Sequence, residues 1–144
     1  MTAPTLIAPN LVGPAGGDLD TPVRAIMRPG VISLPEDASL RQAQRAMAAH
    51  AVHSVLIVST RDGAPLGWVT ARGVLAWLTH DAVVTPASVA ITEPPITVEP
   101  SASAADVVRI LAETNATHLL VARQPGVAPQ GVVGEVDIVR LVAA

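Results

Sequence analysis

The sequence predicts an α+β fold: two tandem β-α-β-β-α units packed on each other with pseudo-twofold symmetry. Three observations point there. Half of the 144 residues are apolar, yet Phe and Tyr are absent and there are two Trp, so Val, Ile, Leu and Ala must fill the core. β-branched side chains suit strands and Ala suits helices, which implies a mixed core. The chain also matches itself without a gap when slid by 64 positions: the stretch from Val31 falls on that from Pro95, His53–Val58 on Thr117–Ala122, and Gly67 on Gly131. A repeat of this size is one supersecondary unit, and two such units bury their open faces on each other. Both copies, finally, run through the same succession of alternating, helical and apolar segments.

Residues 1–20, with three Pro and several Gly, read as a tail with little intrinsic structure. The first repeat covers 21–80; the linker and second repeat cover 81–144. Each copy opens on a short helical turn, at Val23–Met27 and Ala87–Ile91. A short alternating strand follows, at Val31–Leu34 and Ile96–Val98. Ser39 then precedes Leu40, Ala43, Met47 and His50, and Ser103 precedes Val107, Ile110, Leu111 and Thr114. Both patterns are helices entered by a Ser cap. The apolar runs Val55–Val58 and Leu119–Ala122 are short enough to be buried strands. Gly/Pro turns lead into Leu66–Val69 and Gln130–Val133, and the last helices span Ala71–Thr79 and Glu135–Val142. Val74, Leu75, Trp77 and Leu78 cannot all face one small core, so these last helices are expected to meet a second copy of the chain.

The formal net charge is −3 and all nine basic residues are Arg, scattered singly, so no basic stripe for nucleic acid is visible. The lack of lysine suits a GC-rich bacterial genome. Without Cys there is no disulfide or thiolate chemistry. No apolar run approaches the roughly 18 residues of a membrane span. The first residues lack a basic leader pattern. A cytoplasmic protein with no membrane or nucleic-acid partner is the expectation. No G-x-S-x-G, H-E-x-x-H or P-loop occurs, and no enzyme is expected.

The most informative pair of segments is "GWVTARG", Gly67–Gly73, and "GVVGEVD", Gly131–Asp137. Each is a strand-to-helix turn whose free N–H groups and helix dipole favour an anion. The first copy carries a hydroxyl, Thr70, at the fourth place; the second carries a carboxylate, Asp137, at the seventh. Thr70 either caps its helix or contacts a phosphate, with Arg72 nearby. Asp137 either reaches back to the backbone N–H groups or takes a ribose diol. Gly134 lets a ligand approach the backbone closely.

A tandem β-α-β-β-α chain with "AIM"-like entry turns and the pattern G-h-h-[S/T]-x-x-D closing each unit resembles a pair of cystathionine-β-synthase (CBS) domains, the Bateman module. The resemblance covers about residues 22–143 and implies a stand-alone, non-catalytic regulatory protein, commonly a homodimer. It implies two clefts between the halves for AMP, ADP, ATP or an S-adenosyl compound such as S-adenosylmethionine. It places the fourth-place hydroxyl on phosphate and the seventh-place carboxylate on ribose. The adenine would border Ile32, Ser33, Ile96 and Thr97 and the apolar strands at Val55, Leu56, Leu119 and Leu120.

The sequence departs from that pattern. Gly73 replaces the carboxylate in the first turn and Gly134 the hydroxyl in the second. Leu56 and Leu120 stand where the family often has Pro. Each cleft is thus half equipped, which makes a ligand-free dimerisation or interaction scaffold the alternative to a sensor. Glu135 and Asp137 would repel a phosphate from the second turn, so a ligand poor in negative charge is expected there and a phosphate-bearing one at Thr70. His50 and His53 have a spacing that can hold a metal, but no third ligand is placed to join them, and no metal is expected. His118 reads as structural or cleft-edge.

Overall fold

The computed structural model describes residues 19–144, so the tail expected at 1–20 lies, but for its last two residues, outside the described residues. After a 3₁₀ turn at Val23–Ala25 come β1 (Arg28–Pro29), β2 (Ser33–Pro35), α1 (Leu40–His50), β3 (Ser54–Val58), β4 (Pro65–Thr70) and α2 (Ala71–Ala76). A second 3₁₀ turn at Ala87–Ala90 opens the repeat: β5 (Ile91–Glu93), β6 (Thr97–Val98), α3 (Ala104–Glu113), β7 (His118–Val121), β8 (Gly131–Gly134) and α4 (Glu135–Ala143).

The helices begin where the serines place them. Ser39 Oγ accepts from Gln42 N–H at 3.2 Å while Gln42 Oε1 accepts from Ser39 N–H at 2.8 Å. Ser103 and Asp106 repeat this reciprocal cap at 3.1 and 3.0 Å. Each cap satisfies two of the donors that a helix start leaves free. Helix α1 stops at Ala51, which adopts φ 52°. Helix α2 stops at Ala76, short of the expected Thr79. There the backbone tightens, Trp77 N–H bonding back to Val74 O and His80 N–H to Trp77 O.

Each sheet has four strands, one more than the repeat pattern predicts. The orders are β2-β3-β4-β5 and β1-β8-β7-β6. Within each unit the first two strands are parallel across the helix, β2 with β3 and β6 with β7, and the next pairs are antiparallel. The fourth strand comes from outside the unit. β1 lies ahead of the β-α-β-β-α pattern of the first repeat but pairs with β8 of the second, Arg28 opposite Val132. β5 lies ahead of the second unit and pairs with β4 of the first, Trp68 opposite Glu93. These short strands cover the edges that β4 and β8 would otherwise leave unpaired.

Three cores follow from the alternation of side chains along the strands. Val55, Ile57 and Val69 point into a core under α1, with Leu40, Ala43 and Val74. Leu119, Val121 and Val133 point into its counterpart under α3, with Val23 and Val107. The opposite faces of the same strands supply Leu56, Trp68, Leu120 and Val132, a third core between the halves. Its members are repeat equivalents, Leu56 with Leu120 and Trp68 with Val132. Strands buried on both faces read as unbroken apolar runs, as these do.

Candidate functional site

A cleft of about 820 Å³ opens beside the third core. That is within the range of small-molecule sites, roughly 300–1,000 Å³. The first half contributes Arg28–Ile32, the α1–β3 junction Ala51–Ser54 and Trp68. The second contributes Thr117 and His118 at the start of β7, Val132, the turn residues Gly134–Val136 and Arg140. A shallower pocket adjoins it, lined by Ile26, Arg28, Asp137, Arg140 and Leu141, so Arg28 and Arg140 border both.

At the second turn the Asp137 carboxylate reaches back into its own helix start. Its Oδ2 accepts from Gly134 N–H at 2.7 Å. Arg28 Nε lies 3.4 Å from the same oxygen; the Asp137 side chain is 4% exposed and that of Arg28 51%. The charge that would repel an anion here is therefore compensated by a residue from β1. Gly134 is confined as well. A Cβ at this position would stand 3.0 Å from Thr117 O, 3.2 Å from His118 Cδ2 and 3.5 Å from Arg28 Nη2.

Behind the turn lies a polar chain linking the halves. The buried carboxylate of Glu93, on β5, accepts from Thr117 N–H at 2.8 Å and from the Thr117 hydroxyl at 2.8 Å. Thr117 Oγ1 is also 2.9 Å from His118 Nδ1. The hydroxyl has one proton and gives it to Glu93, so the remaining contact needs the proton on His118 Nδ1, which leaves Nε2 as an acceptor. Burial holds the His118 imidazole below its usual range and Arg28 acts in the same direction, against the pull of Glu93, Glu135 and Asp137. His118 stacks obliquely on Trp68, ring centroids 5.4 Å apart. Trp68 is 2% exposed, and its Nε1 finds no hydrogen-bond partner among the described residues.

The first turn is engaged differently. Thr70 Oγ1 accepts from Gly73 N–H at 3.2 Å, capping α2, and is 2.7 Å from the Thr92 hydroxyl. A Cβ on Gly73 would overlap the Ala90 carbonyl oxygen. The 3₁₀ turn and β5 thus occupy the space in which a seventh-place carboxylate would stand.

Of the residues expected at a site, Ile32 and Gly134 line the large cleft. Asp137 lies behind it, in the adjoining pocket. Val55 and Leu119 belong to the cores of the two units, and Leu56 and Leu120 to the core between them. Ser33 and Thr97 are strand residues of β2 and β6, and Ile96 packs on the second core. Thr70 and Arg72 start α2, Arg72 exposed to solvent. Sequence reasoning missed Arg28 and Arg140 altogether, and assigned His53 and Thr117 no part in a cleft. The repeat carried a signal: His53 and Thr117 are equivalent positions, as are Arg28 and Thr92. Among the described residues no group of three or more His, Asp or Glu gathers to hold a metal, and no helix is long and apolar enough to cross a membrane.

Two strand-exchanged α+β units with a cleft between them define a tandem-repeat α+β module. The CBS domain family matches residues 23–80 and again 87–144, and the chain belongs to that family as a CBS pair. Solved structures with the same fold include the CBS domain of a bacterial CNNM/CorC-family Mg²⁺ transporter in complex with ATP (21% identity, TM-score 0.77, covering 94% of this chain and 96% of that one). A CBS-domain protein of Pyrobaculum aerophilum complexed with AMP is 22% identical, with a TM-score of 0.71 over 85% and 99% of the two chains. A CBS-domain protein of Agrobacterium tumefaciens is 20% identical, with a TM-score of 0.71 over 85% and 94%. None of the curated proteins matches the sequence.

Proposed function

We propose that this CBS pair is a non-catalytic regulatory sensor that takes one adenosyl ligand in the cleft at its second turn. The observation that carries the reading is the cleft itself, about 820 Å³ and walled by both halves. A ligand there touches β1, the α1–β3 junction and the β8–α4 turn at once, so binding would tie the two units together. The solved relatives described with ATP and with AMP support the choice of an adenine nucleotide. The cleft also offers suitable chemistry: the His118 ring with its acceptor nitrogen and two guanidinium groups. The signal would pass to a second copy through the outer face of α2 with the turn after it and that of α4, where Leu75, Leu78, Val139 and Val142 are exposed.

One observation favours the second reading, a scaffold without ligand. The turn groups that could grip a nucleotide are bonded to the protein instead, Thr70 to Gly73 and Thr92, Asp137 to Gly134 and Arg28. A thermal-shift series with AMP, ADP, ATP, adenosine and S-adenosylmethionine separates the two. A ligand of the folded state raises the melting temperature with concentration by mass action. The sensor reading expects such a rise with at least one compound; no rise across the series leaves the scaffold.

A further inference from the structure

The repeat register pairs position 28 with 92 and position 134 with 70, and the two pairs are built oppositely. At the first turn both members are threonines, Thr70 and Thr92, with hydroxyls 2.7 Å apart. In the second they are Arg28 and Gly134, with Arg28 Nη2 3.5 Å from where a Cβ of residue 134 would stand. No side chain fits at residue 134, because Thr117 O and His118 close in on it, and a guanidinium stands at the same border. Where the first turn presents a hydroxyl, the second has a fixed cation at its border.

We propose that Arg28 replaces the missing turn hydroxyl and, with Arg140, holds the phosphate of an anionic ligand in the cleft. Asp137 is a positioning residue that steadies Arg28 from behind and does not touch the ribose. This rests on the sensor reading above and goes beyond it in naming the charged end of the ligand and the side chains that meet it.

Three features support the assignment. Arg28 and Arg140 line both the cleft and the adjoining pocket that contains Asp137. The Arg28–Asp137 contact uses Nε at 3.4 Å, longer than a charge-assisted hydrogen bond, and the Arg28 side chain is half exposed. The terminal nitrogens are thus available for the forked contact that guanidinium makes with phosphate. Asp137 offers a diol little, since its side chain is sealed and Oδ2 already accepts the Gly134 N–H. Glu135, exposed at the cleft edge, is the one carboxylate lining it, set against two arginines.

The test is calorimetry on the full chain with AMP and adenosine, at low and high NaCl, with circular dichroism to confirm folding. AMP is expected to bind about tenfold or more tighter than adenosine, and added salt should weaken AMP alone. Arg28→Gln should erase the difference while leaving adenosine unchanged, and Asp137→Asn should leave adenosine binding intact. Should Arg28→Gln fail to fold, Arg140→Gln and the salt series carry the same decision. Equal affinity of the wild type for AMP and adenosine overturns this assignment and leaves the sensor reading standing. So does loss of adenosine binding in Asp137→Asn, which would put the carboxylate on the ribose. Equal weakening of both ligands by Arg28→Gln reduces Arg28 to a structural part and overturns it too. No heat from either compound removes the sensor reading and this proposal together.

Discussion

His118 shows how one side chain can be held by its chain neighbour and by a ring from the other half. Thr117 fixes its proton on Nδ1, Trp68 lies obliquely against it, and burial disfavours the charged ring. The folded protein therefore takes up a second imidazole proton less readily than the unfolded chain does. Stability linked to His118 is complete above the ordinary value of 6.5 and is lost as pH falls through 6.5 toward the lowered folded value. Urea unfolding between pH 7.5 and 5.5 is expected to show falling stability, and His118→Gln should flatten that fall relative to wild type. An unchanged slope in the variant would assign the loss to other groups.

Among the elements, β5 has the largest consequence for its length. Its three residues complete the first sheet, and Glu93 reaches across to satisfy two donors on Thr117 in the second unit. Glu93→Ala would leave the partly buried Thr117 N–H and hydroxyl without that acceptor, at a cost of about 1–3 kcal/mol. The check is the denaturation midpoint, with Glu93→Gln expected to lose less because its amide oxygen still accepts. The sequence shows the longer elements and hides this one. Ser39 and Ser103 announce their helices because a cap acts on residues three places away. The runs Val55–Val58 and Leu119–Ala122 announce strands because burial on both faces leaves a continuous apolar signature. β1 and β5 are two and three residues long, carry no period, and pair with partners far along the chain. The site inherits the same blindness. Gly73 and Gly134 stand out as departures within a repeat, but the reasons for them, the Ala90 carbonyl in one case and the Thr117 carbonyl in the other, come from distant segments.

On the scale of the whole molecule, two of the cores are private to the units and the third is shared, so the halves are not independent bodies. What remains outside is an apolar surface on the last helices. Val74 is buried and Trp77 packs on the first core, as a one-sided helix requires, while Leu75 and Leu78 face outward. On α4, Val139 and Val142 are exposed, Val139 to 62%, while Val136 faces the cleft. A single helical stripe of this kind on each unit suits association of two copies through both helices. Light scattering on the eluting protein is expected to give twice the 14.7 kDa chain mass. Val139→Glu should return it to the chain mass with its circular dichroism unchanged; a wild type already at the chain mass would dispose of the dimer.

The exchange of β1 and β5 also orders events during synthesis. When the ribosome has released the first unit, β5 follows almost at once and finishes the sheet it belongs to. Arg28–Pro29, made earlier, has no strand to join until β8 emerges at the far end of the chain. Joining segments so far apart is a slow closure. The nascent protein therefore holds a finished first lobe beside an unfinished second one from the release of β5 until that of β8, and the arginine bordering the cleft is among the last groups to reach its station.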